Sequence, residues 1–128
     1  SPADTLGIFQ VAANTPEAGA RAARRLLTSP APPTAILTDS DQLAFGVLQA
    51  ARELDLEVPR QLSVVGADDV PAAAHTTPAL TTVQQLFLAK GRHAARLLTA
   101  GETAAITMLP IRLIERASTA PPDRHPLE

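Results

Sequence analysis

Residues 33–46 read PTAILTDSDQLAFG, and this stretch decides the fold. Its run from Thr34 to Thr38 is short and largely apolar, as expected for a strand that is covered on both faces of a parallel sheet. Apolar residues then recur at helical spacing: Leu43, Val47, Ala50, Ala51 and Leu54. The stretch therefore predicts a strand that leads directly into a helix, which ends near Asp55 in a left-handed conformation.

Similar strand and helix patterns lie on either side of this stretch. Residues 6–11 predict a strand, and residues 16–28 predict a helix that is capped by Thr15 and has Pro16 at its first position. Downstream, residues 62–66 predict another apolar strand. The three predicted strands begin near residues 6, 35 and 62, a spacing that fits right-handed crossovers of about 30 residues. We therefore expect an α/β fold with a parallel sheet and covering helices.

The pattern changes after Gly66. The segments that follow it are predicted in this order: an irregular stretch at 68–78, a short strand at 80–83, a helix at 86–100 capped by Gly101, strands at 105–109 and 111–115 separated by Pro110, and a polar, proline-rich tail from residue 118. Pro110 separates the last two strands because proline has no N–H to donate to a sheet.

Composition narrows the classes of protein that fit. The chain has 128 residues, enough for one domain, and no cysteine, which excludes disulfides and thiolate metal sites and suits a reducing cytosol. No apolar run approaches the ~20 residues that a membrane helix needs. The net charge is −2 and no basic face stands out, so we do not expect this chain to bind DNA by itself. The opening SPAD does not resemble a secretory signal, which disfavours export and favours a cytoplasmic protein.

Two acidic segments follow predicted strands, at the edge of a parallel sheet where ligands bind. They are Asp39-Ser40-Asp41 and Asp68-Asp69. Under one interpretation, Asp39 or Ser40 caps the following helix, Asp41 lies in its first turn, and Asp68-Asp69 forms a solvated turn. Under the other, Ser40 and Asp68 point into a cleft and accept hydrogen bonds from ligand hydroxyls, with Asp39 beside them. The sequence leaves both interpretations open.

Catalytic interpretations are weaker. Paired carboxylates can hydrolyse glycosides, but no sequence feature provides an acid with a raised pKa in an apolar pocket. The three histidines, His75, His93 and His125, share no metal-site or catalytic-triad spacing, and no glycine-rich phosphate loop is present. We therefore expect no enzymatic activity, no metal site and no cofactor.

Four segments resemble the lactose/galactose-repressor (LacI/GalR) family. Residues 33–46 resemble its PTA-hhh-AND-x-hA-hG segment, where h is apolar, and residues 58–69 (VPRQLSVVGADD) resemble its VP-xx-h-SVVG-h-DD segment. Residues 78–85 (PALTTVQQ) and 109–119 (LPIRLIERAST) are similar to its P-x-LTTV-x-Q and LP-x-x-L-h-x-R-x-ST segments. The segments occur in the family's order and spacing and cover nearly the whole chain.

The resemblance implies a periplasmic-binding-protein-like fold of type I, a three-layer αβα sandwich. Members of the family are cytoplasmic transcriptional regulators with a helix-turn-helix head and a two-lobed core, in which a small effector such as a sugar changes the grip on operator DNA. Residues 1–119 correspond to the C-terminal portion of that core. Leu80–Gln85 would cross between lobes, residues 86–109 would pack on the N-terminal lobe, which this chain lacks together with the head, and residues 120–128 would form a flexible tail.

Effector-site residues follow from the same resemblance. Asp68 matches the family's ligand-binding aspartate, and Ser40 replaces an asparagine that contacts the effector. Asn14 stands where an aromatic residue often packs on the sugar, and Ala67 replaces a tyrosine or phenylalanine. Phe87 keeps an aromatic residue at the edge of the cleft. These departures argue against a common hexose as the effector. A small polar ligand, or a pocket that has lost tight binding, fits equally well.

The predicted helix at 86–100 would lack its usual cover, so we expect its apolar face to be buried in a homodimer, either by apposition or by a swap of Leu86 to Leu109. Two other classes remain as alternatives. Exported solute-binding proteins share the fold, but they tend to keep only the first aspartate of the Asp68-Asp69 pair and seldom end in the pattern at residues 116–119. Phosphoacceptor receiver domains carry their acidic pair after the first strand, whereas here it lies mid-chain.

Overall fold

The computed structural model describes residues 6–101 and 106–122. Its elements follow in this order: α1 (Pro16–Leu27), β1 (Ala35–Leu37), α2 (Asp41–Glu53), β2 (Ser63–Asp68), a 3-10 helix (Pro71–His75), β3 (Thr81–Gln84), α3 (Phe87–Thr99) and β4 (Arg112–Ile114). The strands form one sheet in the order β1-β2-β3-β4. Neighbours among β1, β2 and β3 are parallel, and β4 is antiparallel to β3. The predicted α/β fold with a mainly parallel sheet is confirmed.

The ends of the helices follow the capping residues in the sequence. Thr15 Oγ1 accepts a hydrogen bond from the Ala18 N–H at 3.2 Å, which begins α1 as predicted. Beyond the end of α2, Asp55 has a φ of 56°, the predicted left-handed conformation. Gly101 has a φ of 69° just after α3, where a glycine accepts that angle without steric cost.

The two helices α1 and α2 contact each other backbone to backbone. A Cβ on Gly19 would lie 2.3 Å from the Leu43 carbonyl oxygen, and a Cβ on Gly46 would lie 2.0 Å from the Pro16 carbonyl oxygen. Either position excludes a side chain, because real Cβ atoms do not approach other atoms so closely. The glycines therefore set the closeness of the helix pair, and buried alanines fill the space around them.

The hydrophobic core lies between α2 and the sheet. Its larger members are Val47, Leu48, Leu62, Val64 and Leu80, all almost fully buried. Side chains alternate between the faces of a strand, so Val64 and Gly66 of β2 face α2 whereas Val65 points to the opposite face and is only half-buried. Helix α2 thus packs on the sheet and α1 packs on α2. The carboxyl ends of β1 and β2 lie at the same edge because the two strands are parallel neighbours.

Two predicted strands do not form. Residues 6–11 have no strand structure, and Leu6 and Ile8 are 89% and 85% exposed. Residues 106–109 are likewise irregular, whereas Ala105 lies outside the described residues. An alternating or apolar run becomes a strand only where a neighbouring strand supplies hydrogen-bond partners, and here neither segment pairs with the sheet.

The C-terminal segment is more ordered than its polar composition predicts. Ser118 is fully buried: its Oγ donates to the Val64 carbonyl at 2.6 Å and accepts from the Thr81 N–H at 2.8 Å. Two residues later, the Ala120 N–H donates to Ser63 Oγ at 3.1 Å. The expected tail therefore starts with a segment that bridges β2 and β3, and residues 123–128 lie outside the described part of the chain.

The helix α3 forms as predicted but is not covered. None of its residues, all of which are described, is buried, and its large apolar side chains are exposed: Phe87 56%, Leu88 69% and Leu98 82%. An apolar face that is this open is unusual in a stable soluble protein.

Candidate functional site

A cavity of about 650 Å³ lies at the carboxyl ends of β2 and β3. One wall is formed by the turn that follows β2, and the other by the first half of α3. The side chains that line it are of three kinds: acidic (Asp68, Asp69), apolar or aromatic (Leu86, Phe87, Leu88, Ala89, Leu109) and basic or amide (Gln84, Gln85, Arg92, His93, Arg96). Ligands of open parallel sheets bind at this location because strand ends and loops meet there.

The carboxylate of Asp68 lines the cavity, and only one of its two oxygens accepts a hydrogen bond from a described residue. Its Oδ1 accepts a hydrogen bond from Gln85 Nε2 at 3.2 Å, and its Oδ2 accepts none from any residue that the structure describes. Burial raises the pKa of Asp68, and the negative charges of Asp41 and Asp39 raise it further, whereas Lys90 lowers it. The carboxylate therefore has spare capacity to accept a hydrogen bond, in a setting that favours an added donor.

Asp69 is fully engaged within the protein. Its Oδ1 accepts from Arg116 Nη2 at 2.6 Å, and its Oδ2 accepts from Gln84 Nε2 at 2.8 Å. Only 13% of its side chain and 19% of the Arg116 side chain are exposed. The second aspartate of the pair is thus held by an ion pair, not by solvent as a simple turn would be. Charge signs alone did not identify Arg116 as its partner, because the two lie 47 positions apart.

Ser40 is the N-cap of α2, so the capping interpretation is confirmed for this residue. Its Oγ accepts from the Leu43 N–H at 3.2 Å and donates to Asn14 Oδ1. Ser40 is buried, whereas Asn14 and Asp39 are exposed. The structure therefore joins Asn14 to Ser40 as a pair through the Asn14 side-chain oxygen.

Asp41 was predicted as a first-turn helix residue, and its main contacts were missed. It is fully buried; its Oδ1 accepts from Thr82 Oγ1 at 2.6 Å and its Oδ2 accepts from the Val70 N–H at 2.8 Å. The carboxylate thus crosses β2 to hold β3 and the loop beyond Asp68. The one available signal was Gly66, a glycine inside an apolar strand, which often marks a close approach of another group.

The candidate residues form two groups at one edge of the sheet. Asp68 and Phe87 line the cavity, and Asn14, Ser40 and Asp39 lie together at the end of β1. Because β1 and β2 are parallel neighbours, the two groups share a rim, and the charge of Asp39 is felt at Asp68. Within the described residues, no set of three or more histidine or acidic side chains is arranged to hold a metal ion. No helix among them is long and apolar enough to cross a membrane.

Comparison with known proteins gives one consistent result. The family model of the periplasmic binding protein-like domain matches residues 5–119. A curated relative, the HTH-type transcriptional repressor PurR of Escherichia coli O139:H28 (strain E24377A / ETEC), is 40% identical over 111 residues, which cover 82% of this chain and 32% of that protein. The chain therefore spans about a third of the length of the curated relative that it matches.

Solved structures agree. The dimeric Lac repressor with an 11-residue C-terminal deletion has a TM-score of 0.78 and 31% identity, over 85% of this chain and 42% of that one. A LacI family transcriptional regulator from Enterococcus faecium, solved with bound ribose, has a TM-score of 0.74 and 29% identity, over 84% of this chain and 41% of that one.

Proposed function

Because the chain belongs to the family of periplasmic-binding-protein-like domains, in the LacI/GalR branch of transcriptional regulators, we propose that it senses a small polar effector, such as a sugar, for a bacterial repressor. In this proposal the effector binds beside Asp68 and controls the grip of a helix-turn-helix head on operator DNA. The head lies outside this chain, and the regulator is cytoplasmic.

One observation carries the proposal: Oδ2 of Asp68 lies at the cavity and accepts no hydrogen bond from the residues that the structure describes. A carboxylate accepts several hydrogen bonds, and those from hydroxyl groups are short and charge-assisted. A ligand with several hydroxyls could fill that capacity and compensate for the partial burial that raises the pKa of Asp68. A sugar or another small polyol has the required groups.

Phe87 provides the complementary apolar surface. Lys90 Nζ lies 5.5 Å from the centroid of the Phe87 ring, and the same ammonium donates to Gln85 Oε1 at 2.6 Å. Gln85 in turn donates to Asp68, so a chain of contacts fixes the aromatic ring relative to the carboxylate. An aromatic face beside a hydrogen-bond acceptor suits the apolar C–H face and the hydroxyl edge of a sugar ring.

The group at the end of β1 has a supporting role in the proposal. Ser40 holds Asn14 through its hydroxyl, so the Asn14 amide and the Asp39 carboxylate can reach a ligand from the neighbouring rim. The roles are those of a binding site. The described residues of the two groups supply acceptors, a donor amide and an aromatic face.

The Asp69–Arg116 contact favours a regulator over an exported solute-binding protein. The features that distinguish the two classes by sequence, the second aspartate and the arginine before the final Ser-Thr pair, contact each other at 2.6 Å. Asp69 and Arg116 are therefore parts of one structural unit, and their joint presence in the sequence has a structural reason.

A thermal-shift and calorimetry screen on the purified chain tests the proposal, with ribose first and then hexoses, polyols and nucleosides. A ligand that binds only the folded state raises its melting temperature. We expect at least one such compound to do so, and Asp68→Asn to abolish the effect. The matched control is Asp55→Asn, which changes an exposed aspartate with a left-handed backbone far from the cavity. Binding that survives Asp68→Asn, or no binding across the panel, would contradict the proposal.

A further inference from the structure

Two consecutive residues have positive φ angles where β2 ends: Asp68, the last residue of the strand, at 115°, and Asp69, the first residue of the turn, at 57°. Residues with a Cβ adopt such angles at a steric cost, so the surrounding contacts must hold the turn in this shape. The shape matters because it determines where the Asp68 carboxylate points.

Both oxygens of the Asp69 carboxylate are held, one by Arg116 and the other by Gln84. The two charged side chains are mostly shielded from water, so their attraction is screened less than that of an exposed ion pair. The pair is therefore able to restrain the backbone of the turn.

Arg116 is anchored independently of the turn. Its Nη1 donates to the Leu80 carbonyl at 2.8 Å, and its backbone N–H donates to Thr81 Oγ1 at 3.0 Å. The guanidinium thus fixes Asp69 to the start of β3, an element of the core. The backbone of Asp68 is in register with Gln84 of β3, but among the described residues its carboxylate has only the single, longer contact with Gln85. The direction of that carboxylate therefore depends on the restraint at Asp69.

We propose that the Asp69–Arg116 ion pair is a positioning element of the effector site: it fixes the turn so that the Asp68 carboxylate faces the cavity. This inference rests on the proposed function for its consequence in binding, and on the contacts of the turn for its structural part. Asp69 and Arg116 are positioning residues that act through Asp68 and do not themselves hold the effector.

The test compares Arg116→Met with the double variant Asp69→Asn/Arg116→Met. The single change leaves a mostly buried carboxylate without its cation and is expected to destabilise the chain strongly, whereas the double change leaves no uncompensated charge. Arg112→Met is the matched control, because Arg112 donates to the same Gln84 from the exposed side and does not contact Asp69. Two quantities are measured: ribose affinity, and the pKa of Asp68 from the NMR titration of its carboxyl carbon in the ligand-free chain.

With the turn released, Asp68 moves toward solvent, so its pKa falls toward the ordinary range and ribose binds at least about tenfold more weakly, the loss of one charge-assisted hydrogen bond. A purely structural role would lower the melting temperature and leave both quantities unchanged, as would be seen for Arg112→Met. A folded double variant with the wild-type Asp68 pKa overturns the inference. If ribose does not bind the unsubstituted chain, that result counts against the proposed ligand. The Asp68 titration then tests the positioning role of the ion pair by itself.

Discussion

Asp41 Oδ1 occupies the space that a side chain at position 66 would need: a Cβ added to Gly66 would lie 2.2 Å from this oxygen. The carboxylate passes over β2 at this point and accepts a hydrogen bond from Thr82 on the next strand. Helix α2, β2 and β3 are therefore joined by one buried side chain, whose path exists only because Gly66 has no Cβ.

Gly66→Ala should destabilise the fold by about 3 kcal/mol, since the methyl group must displace a buried carboxylate and break one of its hydrogen bonds. Urea unfolding followed by circular dichroism measures the change. The control is Gly91→Ala, where a Cβ meets nothing within 4 Å. That substitution lies inside α3 and should stabilise the helix by roughly 0.5 to 1 kcal/mol. Equal effects at the two positions would disprove the crossing role of Asp41.

Ser118→Ala should cost about 3 kcal/mol, because it leaves the buried Thr81 N–H and Val64 carbonyl without their partner. The loss should appear in both the denaturant midpoint and the exchange rate of the Thr81 amide. Thr99→Ala removes an exposed hydroxyl that bonds only to its own helix, and should change stability little. A near-wild-type Ser118→Ala variant would show that the C-terminal segment does not bridge β2 and β3.

Asp68→Asn should stabilise the chain at neutral pH while removing effector binding. Burial raises the pKa of Asp68 above its ordinary value of 3.8, so the native state binds more protons than the unfolded state above that pH. Stability from this group is then present below pH 3.8 and is lost as pH rises through the folded pKa. The gain from Asp68→Asn should therefore be seen at pH 7 and disappear in acid.

Glu53→Gln should change stability at neutral pH in the opposite direction to Asp68→Asn. The hydrogen bond from Arg24, and next to it the one from Gln49, lower the pKa of Glu53. The neutral variant should therefore lose stability at pH 7, by a small amount because the pair is exposed. Melting temperatures measured across pH for both variants would separate these directions. A loss of stability for Asp68→Asn at neutral pH would contradict the partly desolvated position of Asp68.

The chain should associate through the exposed apolar face of α3, by apposition or by a swap of residues 86–109. We expect sedimentation at micromolar concentration to give the mass of a dimer, and Leu98→Glu to shift it to the monomer. Leu98 is 82% exposed, so the charge should not disturb folding. Gln42→Glu, an exposed change on α2, is the control and should leave the dimer intact. A monomeric unsubstituted chain would rule out this interface.

Local sequence signals were sufficient for most elements of the fold. Helix ends were predictable because Thr15 and Asp55 act on their own neighbours. The strand expected at residues 6–11 was wrong because a strand depends on hydrogen bonds to a partner elsewhere in the chain, which apolar pattern does not reveal. The polar tail predicted from residue 118 was wrong at its start for the same kind of reason: Ser118 bonds to backbone groups far away in sequence.

The candidate site also has a part that local sequence predicted and a part that depended on distant contacts. The position of Asp68 at a strand end followed from the alternation of strands and helices, and its place beside the cavity agrees with that expectation. The contacts of Asp41, Asp69 and Arg116 could not be predicted, because their partners lie between 15 and 47 positions away and meet only when the sheet forms.

The sequence by itself determined the α/β class, the limits of the helices and the family resemblance, since these depend on periodicity, capping and motifs along neighbouring residues. Only the tertiary structure decided which carboxylates are free for a ligand. Both carboxylate oxygens of Asp41 and of Asp69 accept hydrogen bonds from other residues, whereas among the described residues only one oxygen of Asp68 does. This difference depends on long-range hydrogen bonds and burial, which the number of acidic residues in the sequence does not reveal.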